Sequence, residues 1–295
     1  EDISNDIVIA NNSYYIIGSS KNTTTNNTDV LIAKVNGVTQ SVDWCNRYGT
    51  GLNDVGTAGI LYAGHTGSRL LVTGYTDAVS LNNNDILMMS VDLINGNATS
   101  VNTYEIVSDA ANLYGMDLIY LSASDEILIA ARYNNGQDDI LMMKVKPDLT
   151  IVSNSLPWRT TGAGSEVPYG LEVINSRAYV VGKTSTWGSV AGNQDIYIIE
   201  MNPTSMVPTA NRSFAINAGS ADVAYKAQRT SDNRLTIVGD FTDAGTPPLK
   251  KAFLMYLNIN PGGQGNLAAM WTMKNSNAQG SSFVDICEIG TDHLL

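Results

Sequence analysis

The chain has 295 residues, of which 15% are charged and 43% are hydrophobic, so it can bury the core of one large domain or two modest ones. Its formal net charge is -11, and its 17 Lys and Arg residues are scattered along the sequence. Because phosphate binding needs clustered basic residues, we expect no nucleic-acid partner. No apolar run reaches the roughly 18 to 20 residues that cross a bilayer, so we expect no membrane insertion.

The composition favours a secreted or cell-surface protein, since lysine is rare and Asn, Ser, Thr and Gly are abundant. The sequence opens with Glu1 rather than Met, and we expect that a leader was removed or that a longer protein exists. Five N-x-[ST] sequons are candidate glycosylation acceptors, about as many as chance gives: Asn11, Asn22, Asn26, Asn97 and Asn211.

An internal repeat is the strongest feature of the sequence. A short apolar run that ends in a small residue occurs five times, and the small residues are separated by 56, 57, 51 and 57 positions. These closing residues are Gly18, Gly74, Ala131, Gly182 and Gly239. An Asp that opens the next apolar run follows in four units, at Asp29, Asp85, Asp139 and Asp195. One aromatic residue per unit completes the pattern, at Trp44, Tyr104, Trp158, Phe214 and Trp271.

Each unit is predicted to form four short strands, which we name A to D in chain order. The A strands are expected at 6–10, 59–62, 116–120, 170–174 and 224–228; strand B ends in the small residue, strand C follows the Asp, and strand D carries the aromatic residue. A four-stranded sheet repeated every 40 to 60 residues is typical of a β-propeller. We therefore predict an all-β propeller of antiparallel blades, with no helix.

The segment from Thr230 to Gly239 resembles the T-x-D-G-G-Y-I-V-x-G segment of SBBP-type propeller repeats. The run from Asp139 to Val145 is similar to the strand D-[VI]-x-[LIM]-x-K-[VL] that follows in that family. The resemblance covers the whole chain, although Asp232-Asn233-Arg234 replaces the family's Gly-Gly turn. It implies a bacterial-type or extracellular propeller, often one module of a larger surface protein, and it implies no particular reaction.

We expect a single propeller domain with blades at about 1–53, 54–112, 113–166, 167–221 and 222–281, and a partial sixth blade at 282–295. Since this sixth unit stops in its second strand, we predict a propeller truncated at its C-terminal end, with six to eight blades in the full ring. A five-bladed ring whose last strands overlap the first blade is the alternative.

The periodic residues are expected to be structural. The aromatic series is predicted to fill the gaps between blades, rather than to form a ladder for sugar stacking. The four Asp residues are predicted to cap turns by accepting backbone N–H bonds, rather than to bind a metal or to line a pore as a ring of carboxylates.

Trp187 breaks the period and lies in a predicted B–C loop, so it is a candidate for stacking on a sugar or a partner protein. Three aromatic residues that follow strand B complete this candidate binding face: Tyr75, Tyr133 and Phe241. The loop from Leu81 to Asn84 is expected to add amide donors.

No catalytic constellation is recognisable. His65 and His293 are the only histidines, and we expect neither to lie beside a nucleophile. A pair of carboxylates for glycoside hydrolysis remains an alternative, because the sequence does not give the distance between two carboxyl groups in the folded protein. Cys45 and Cys287 are predicted to be unpaired, and we expect no cofactor and no metal site.

Three functions are compatible with these observations. The favoured prediction is a non-enzymatic structural or interaction module, displayed outside the cell, that engages protein partners or assembles with copies of itself. The alternative is a carbohydrate-binding or carbohydrate-processing propeller, for which a glycan is the ligand. An intracellular scaffold is third, and composition disfavours it. The fold does not choose among them.

Overall fold

The computed structural model describes residues 1–64, 67–80, 83–105, 111–152, 157–186, 193–216, 221–243, 248–259, 266–272, 281–286, 288–289 and 293–294. These residues form five four-stranded antiparallel sheets, which we call blades 1 to 5. In each blade the four strands are hydrogen-bonded in chain order, so strands A and D form the edges.

Along the chain, the first strands are β1 (Asp2–Ala10), β2 (Ser13–Lys21), β3 (Thr28–Asn36) and β4 (Val42–Tyr48) in blade 1, β5 (Asp54–Gly64), β6 (Gly67–Ser80), β7 (Asn83–Asp92) and β8 (Ala98–Tyr104) in blade 2, and β9 (Asn112–Leu121), β10 (Glu126–Asn134), β11 (Asp138–Val145) and β12 (Trp158–Arg159) in blade 3. Those that follow are β13 (Glu166–Ile174), β14 (Arg177–Thr184), β15 (Asp195–Asn202) and β16 (Val207–Phe214) in blade 4, and β17 (Asp222–Arg229), β18 (Arg234–Thr242), β19 (Lys250–Asn258) and β20 (Asn266–Thr272) in blade 5.

The predicted fold class is confirmed: the protein is an all-β propeller of five antiparallel four-stranded blades, and the described residues contain no helix. A further two-stranded pair, β21 (Glu288–Ile289) and β22 (His293–Leu294), follows blade 5. None of the described residues forms a helix long and apolar enough to cross a membrane.

Two compact units divide the chain, and each has its own core. The first unit comprises Glu1–Gly136 and Leu141–Pro157, and the second comprises Gln137–Ile140 and Trp158–Leu295. In the first unit, one apolar cluster joins blades 1 and 2, and another joins blade 2 to blade 3. In the second unit, a single cluster joins blades 4 and 5. Because the B and C strands are buried on both faces, they are apolar at nearly every position.

Every A strand contains one β-bulge, which leaves a single residue outside the pairing with strand B. These bulged residues are Asn5, Thr57, Met116, Tyr169 and Tyr225. The bulge also explains the small residue that closes strand B. A Cβ placed at Gly74 would overlap the carbonyl oxygen of Val55, and one at Gly182 would overlap that of Val167. The closing residue is small because the A-strand backbone approaches it closely.

The aromatic residues of the D strands occupy two different register positions. Tyr48, Tyr104 and Phe214 lie opposite the residue that follows the repeat Asp, whereas Trp44 lies opposite Lys34. Tyr104 is buried and donates a hydrogen bond to the carbonyl oxygen of Leu149 at 2.6 Å. Trp158 and Phe214 are half-buried; Trp271 lies in β20, and its side chain is outside the described residues.

Candidate functional site

Four of the five A strands begin with an acidic residue, two positions before the one that pairs with the closing glycine of strand B. In blade 4, Glu166 pairs with Thr184, and Pro168 pairs with Gly182. The equivalent acidic residues in the other blades are Asp2, Asp54 and Asp222, and blade 3 has Leu113 instead. These acidic residues lie at the strand ends where the D–A and B–C loops meet.

The A-strand acid and the C-strand Asp flank one residue of strand B in register. In blade 4, Glu166 and Asp195 both pair with Thr184, and all three are completely buried. Because directly paired side chains share one face of a sheet, two carboxyl groups and a hydroxyl lie side by side there. Blade 2 repeats the arrangement with Asp54, Thr76 and Asp85.

Glu166 is one of the completely buried carboxyl groups of the second unit. Its Oε1 accepts hydrogen bonds from the hydroxyls of Thr184, at 3.3 Å, and Thr186. Its Oε2 is buried, and no hydrogen-bond partner lies within reach among the described residues. Burial raises the pKa of Glu166 above its usual value, while the threonine hydroxyls act in the opposite direction. The carboxyl group therefore favours its protonated form more than an exposed Glu does.

Asp139 lies close enough to Glu166 for their charges to interact. Thr160 donates a hydrogen bond from Oγ1 to Asp139 Oδ1 at 3.1 Å, and its hydroxyl also lowers the pKa of Glu166 slightly. The charge of Asp139 adds to the forces that raise the pKa of Glu166. Burial raises the pKa of Asp139 as well, whereas Thr160 and the positive charge of Arg159 favour its ionised form. Two carboxyl groups with different surroundings thus share one site.

A glycine-rich loop lies beside Glu166. Gly162 is exposed, and a Cβ placed on it would lie 3.8 Å from Glu166 Oε2. Gly164 approaches Thr186 so closely that a Cβ there would lie 2.5 Å from its hydroxyl oxygen. Gln137 holds the loop by donating from Nε2 to the Gly162 carbonyl oxygen at 2.6 Å. The Oε2 atom therefore lies close to an exposed segment that has few side-chain atoms.

The counterpart in the first unit is arranged differently. Asp54 Oδ2 accepts hydrogen bonds from the backbone N–H and the hydroxyl of Thr50, at 2.7 Å and 2.9 Å. Burial, helped by the charge of Glu105, raises the pKa of Asp85 to about 6. Thr76 lies between these two carboxyl groups, since it pairs with Asp54 on one side and with Asp85 on the other.

The predicted binding face is only partly accessible. Tyr133 and Phe241 are 2% and 6% exposed, so their rings pack in the cores and cannot stack on a ligand from solvent. Tyr75 is half-buried, and its ring meets that of Tyr114 edge to face at 5.0 Å. Trp187 lies outside the described residues. Asn84, from the loop predicted to supply amides, contacts Tyr114.

The other predicted residues have these positions. Asp29 is half-buried, and Asp85, Asp139 and Asp195 are buried. The sequon residue Asn22 is half-buried, and the exposed ones are Asn11, Asn26, Asn97 and Asn211. Cys45 is an exposed free thiol. Cys287, His65 and the side chain of His293 fall outside the described residues, and the described residues contain no group of three or more His, Cys, Asp or Glu that could hold a metal ion.

Sequence analysis missed the A-strand acids, because the bulge interrupts the alternation of each strand. The strands were predicted to begin up to five residues too late, as at Gly59 instead of Asp54. A signal was available: an acidic residue followed by Val or Ile recurs at Asp2, Asp54, Glu166 and Asp222.

No protein-family model and no curated protein sequence matches this chain. Among solved structures, it is similar to the periplasmic gluconolactonase of Pseudomonas aeruginosa, with 11% identity, a TM-score of 0.56, and coverage of 91% of this chain and 72% of that one. The α-L-arabinanase of Cellvibrio cellulosa has 11% identity and a TM-score of 0.47, with 88% and 93% coverage. An endo-1,4-β-xylanase of Bacteroides thetaiotaomicron has 11% identity and a TM-score of 0.45, with 89% and 92% coverage.

These comparisons correct two predictions. The structure with a TM-score of 0.56 is that of an enzyme, a lactonase, so the prediction of a non-enzymatic structural or interaction module is wrong. The expectation that the chain is not an enzyme is wrong for the same reason. The comparison favours the alternative, a carbohydrate-processing propeller. At 11% identity the likeness establishes a β-propeller fold, and the SBBP-type repeat stays a prediction.

Proposed function

We propose that this protein is a hydrolase that acts on a carbohydrate substrate, and that Glu166 and Asp139 form its acid–base pair. One observation carries the proposal: Glu166 is fully buried with Oε2 lacking a hydrogen-bond partner among the described residues, while the charge of a second buried carboxyl group, Asp139, acts on it. A buried polar atom without a partner costs free energy, so a native protein that retains one needs a reason for it. Transfer of a proton to substrate is such a reason.

The two carboxyl groups suit different roles. Glu166, whose pKa is raised by burial, supplies the proton. Burial raises the pKa of Asp139 too, but Thr160 and the charge of Arg159 oppose that rise, and Asp139 accepts a proton from water in its ionised form. The water oxygen bonds to the electrophilic sugar carbon, the bond from that carbon to the leaving oxygen breaks, and the leaving oxygen takes the Glu166 proton. The same steps open a sugar lactone or cleave a glycosidic bond.

The glycine-rich loop at 161–164 gives the substrate its route. Gly162 is exposed and lies close to the unpaired oxygen, so a displacement of this short segment brings Glu166 to solvent. Closure of the same loop on bound substrate would exclude bulk water, which strengthens electrostatic interactions in the site.

We also propose that the protein works outside the cytoplasm and that its blades are SBBP-type repeats. The Lys-poor composition supports the first statement, and so does the likeness in fold to a periplasmic enzyme. The repeat segments around Gly239 and Asp139 support the second.

The test is hydrolysis of D-glucono-1,5-lactone, arabinan and xylan by the wild-type protein and by Glu166→Gln. We expect turnover of at least one substrate and a loss of about 10²- to 10⁴-fold in kcat for the variant. Glu172→Gln is the matched control, because Glu172 lies in the same strand and its Oε2 accepts a hydrogen bond from the Arg229 backbone N–H at 2.9 Å. Absence of turnover by the wild-type protein, or equal rates in Glu166→Gln, would refute the proposal.

A further inference from the structure

A second polar cluster lies in the first unit, between blades 2 and 3. The rings of Tyr75 and Tyr114 meet edge to face with centroids 5.0 Å apart. The guanidinium carbon of Arg132 lies 5.1 Å from the centre of the Tyr114 ring. Asn84 donates from Nδ2 to the Tyr114 hydroxyl at 3.1 Å and to Asn112 Oδ1 at 3.2 Å. Five side chains from four strands therefore converge on one place.

The backbone fixes this cluster. Tyr114 and Arg132 pair directly across β9 and β10, and Tyr75 and Asn84 come from adjacent strands of blade 2. Asn112 Oδ1 also accepts the backbone N–H of Asn84 at 2.9 Å, which joins the start of β7 to the start of β9. The side chains are thus held in position before any ligand arrives, which lowers the entropy cost of binding.

Several hydrogen-bonding groups of the cluster remain available. Both N–H bonds of the Asn84 amide are used, but no described residue donates to its Oδ1. Asn112 uses its Oδ1 as an acceptor, and no described residue accepts from its Nδ2. The Tyr75 hydroxyl has no described partner either. All five side chains are half-buried, so these groups border solvent.

This combination matches the chemistry of a sugar. Small-molecule sites join aromatic surface to a few fixed polar groups. A sugar ring offers a C–H face for the aromatic rings and hydroxyls that both donate and accept. An amide acceptor beside an amide donor, as in Asn84 and Asn112, can engage two neighbouring hydroxyls.

We propose that this cluster is a binding subsite for a neutral saccharide ring with two adjacent hydroxyls, with Tyr75 and Tyr114 against the ring and Asn84 and Asn112 on its hydroxyls. The class of ligand rests on the proposed carbohydrate function, whereas the place of binding rests on the geometry of the cluster. The subsite is distinct from Glu166 and Asp139, since none of its residues belongs to that group.

The experiment measures binding of xylohexaose, arabinohexaose and cellohexaose by titration calorimetry. Glu166→Gln serves as the background, so that hydrolysis does not consume the ligand. We expect at least one hexaose to bind, and Tyr75→Ala and Asn112→Ala to weaken it tenfold or more. Tyr75→Phe, which keeps the ring, should weaken it less. Tyr14→Ala is the matched control, because Tyr14 is 40% exposed on β2, away from the cluster. Circular dichroism confirms that each variant folds.

The outcomes separate the two proposals. If the wild-type protein hydrolyses none of the substrates, the proposed reaction is refuted, and binding that depends on Tyr75 and Asn112 still supports the subsite. If the wild-type protein hydrolyses a substrate but Tyr75→Ala and Asn112→Ala leave the affinity for the hexaoses unchanged, the subsite is refuted and the proposed reaction is not. Absence of binding to all three hexaoses overturns the subsite.

Discussion

Asn5 donates a hydrogen bond from Nδ2 to the carbonyl oxygen of Gly56 at 2.7 Å, and so joins blade 1 to blade 2. Asn5 is the bulged residue of its A strand. The bulged residue of blade 2, Thr57, makes the equivalent contact to the Gly115 carbonyl oxygen of blade 3 at 2.6 Å. The bulge turns one side chain out of the sheet pairing and toward the neighbouring blade, which is how these blades are tied together at their A strands.

The first prediction concerns this contact. Thr57→Val keeps the shape of the side chain but leaves the Gly115 carbonyl without its donor, so it should lower the free energy of unfolding by about 1 to 3 kcal/mol. Urea denaturation measures the change. Thr39→Val is the control, because the Thr39 hydroxyl is exposed and forms a hydrogen bond with Ser41, at 2.8 Å; it should change stability by less than about 0.5 kcal/mol. Equal effects would contradict the assigned role.

The second prediction concerns the close approach of strands A and B. Gly74→Ala should cost more than about 3 kcal/mol or prevent folding, since its Cβ would overlap the Val55 carbonyl oxygen. The reverse change in blade 3, Ala131→Gly, should cost only about 1 kcal/mol, because Ala131 lies opposite Gly115 and already has its Cβ there. Denaturation and soluble yield measure both. A neutral Gly74→Ala would show that the A strand is not fixed by its bulge.

The third prediction is a pH dependence. Burial raises the pKa of Asp85 from 3.8 to about 6, so the folded chain binds this proton more tightly than the unfolded chain does. The stability from Asp85 is therefore complete below about pH 4 and is lost as pH rises through about 6. Asp85→Asn cannot ionise, and its melting temperature relative to the wild-type protein should rise between pH 4 and pH 7.

Asp148 provides a control of opposite sign. Hydrogen bonds from Thr150 lower the pKa of Asp148, so its contribution is present above its usual pKa and is lost as pH falls. Asp148→Asn should therefore lose most relative stability at neutral pH. If the two variants shift in the same direction, the proposed effect of burial on Asp85 is wrong.

Much of the fold was predictable from the repeat. The small closing residue, the C-strand Asp and the apolar runs keep a common period because each blade needs the same backbone approach and the same buried strands. Blade 5 shows that the markers are separable, since Lys251 replaces the Asp while the strand pairs normally with Phe241. The markers therefore report strand positions rather than a shared chemistry.

The candidate site was not predictable in the same way. Glu166 and Asp139 belong to different blades, and only the folded chain brings their charges within range of each other. The repeat predicts a turn-capping role for Asp139, because an Asp recurs at this position in four blades. Its neighbours Arg159 and Thr160, however, do not recur in the other blades. Likewise, Tyr75 and Tyr133 lie within their B strands rather than after them. Tyr75 comes one residue after Gly74 and Tyr133 two residues after Ala131, so their rings lie on opposite faces of the sheet and differ in exposure.

The most direct test of the central claim is the pH dependence of kcat/KM for the best sugar substrate. With Glu166 as the proton donor, the rate should fall on the alkaline side as Glu166 loses its proton, with an apparent pKa above the usual 4.5 of a glutamic acid. In Glu166→Gln that alkaline limb should disappear along with most of the rate. An unchanged limb in Glu166→Gln, with a rate equal to that of the wild-type protein, would show that hydrolysis does not use this carboxyl group.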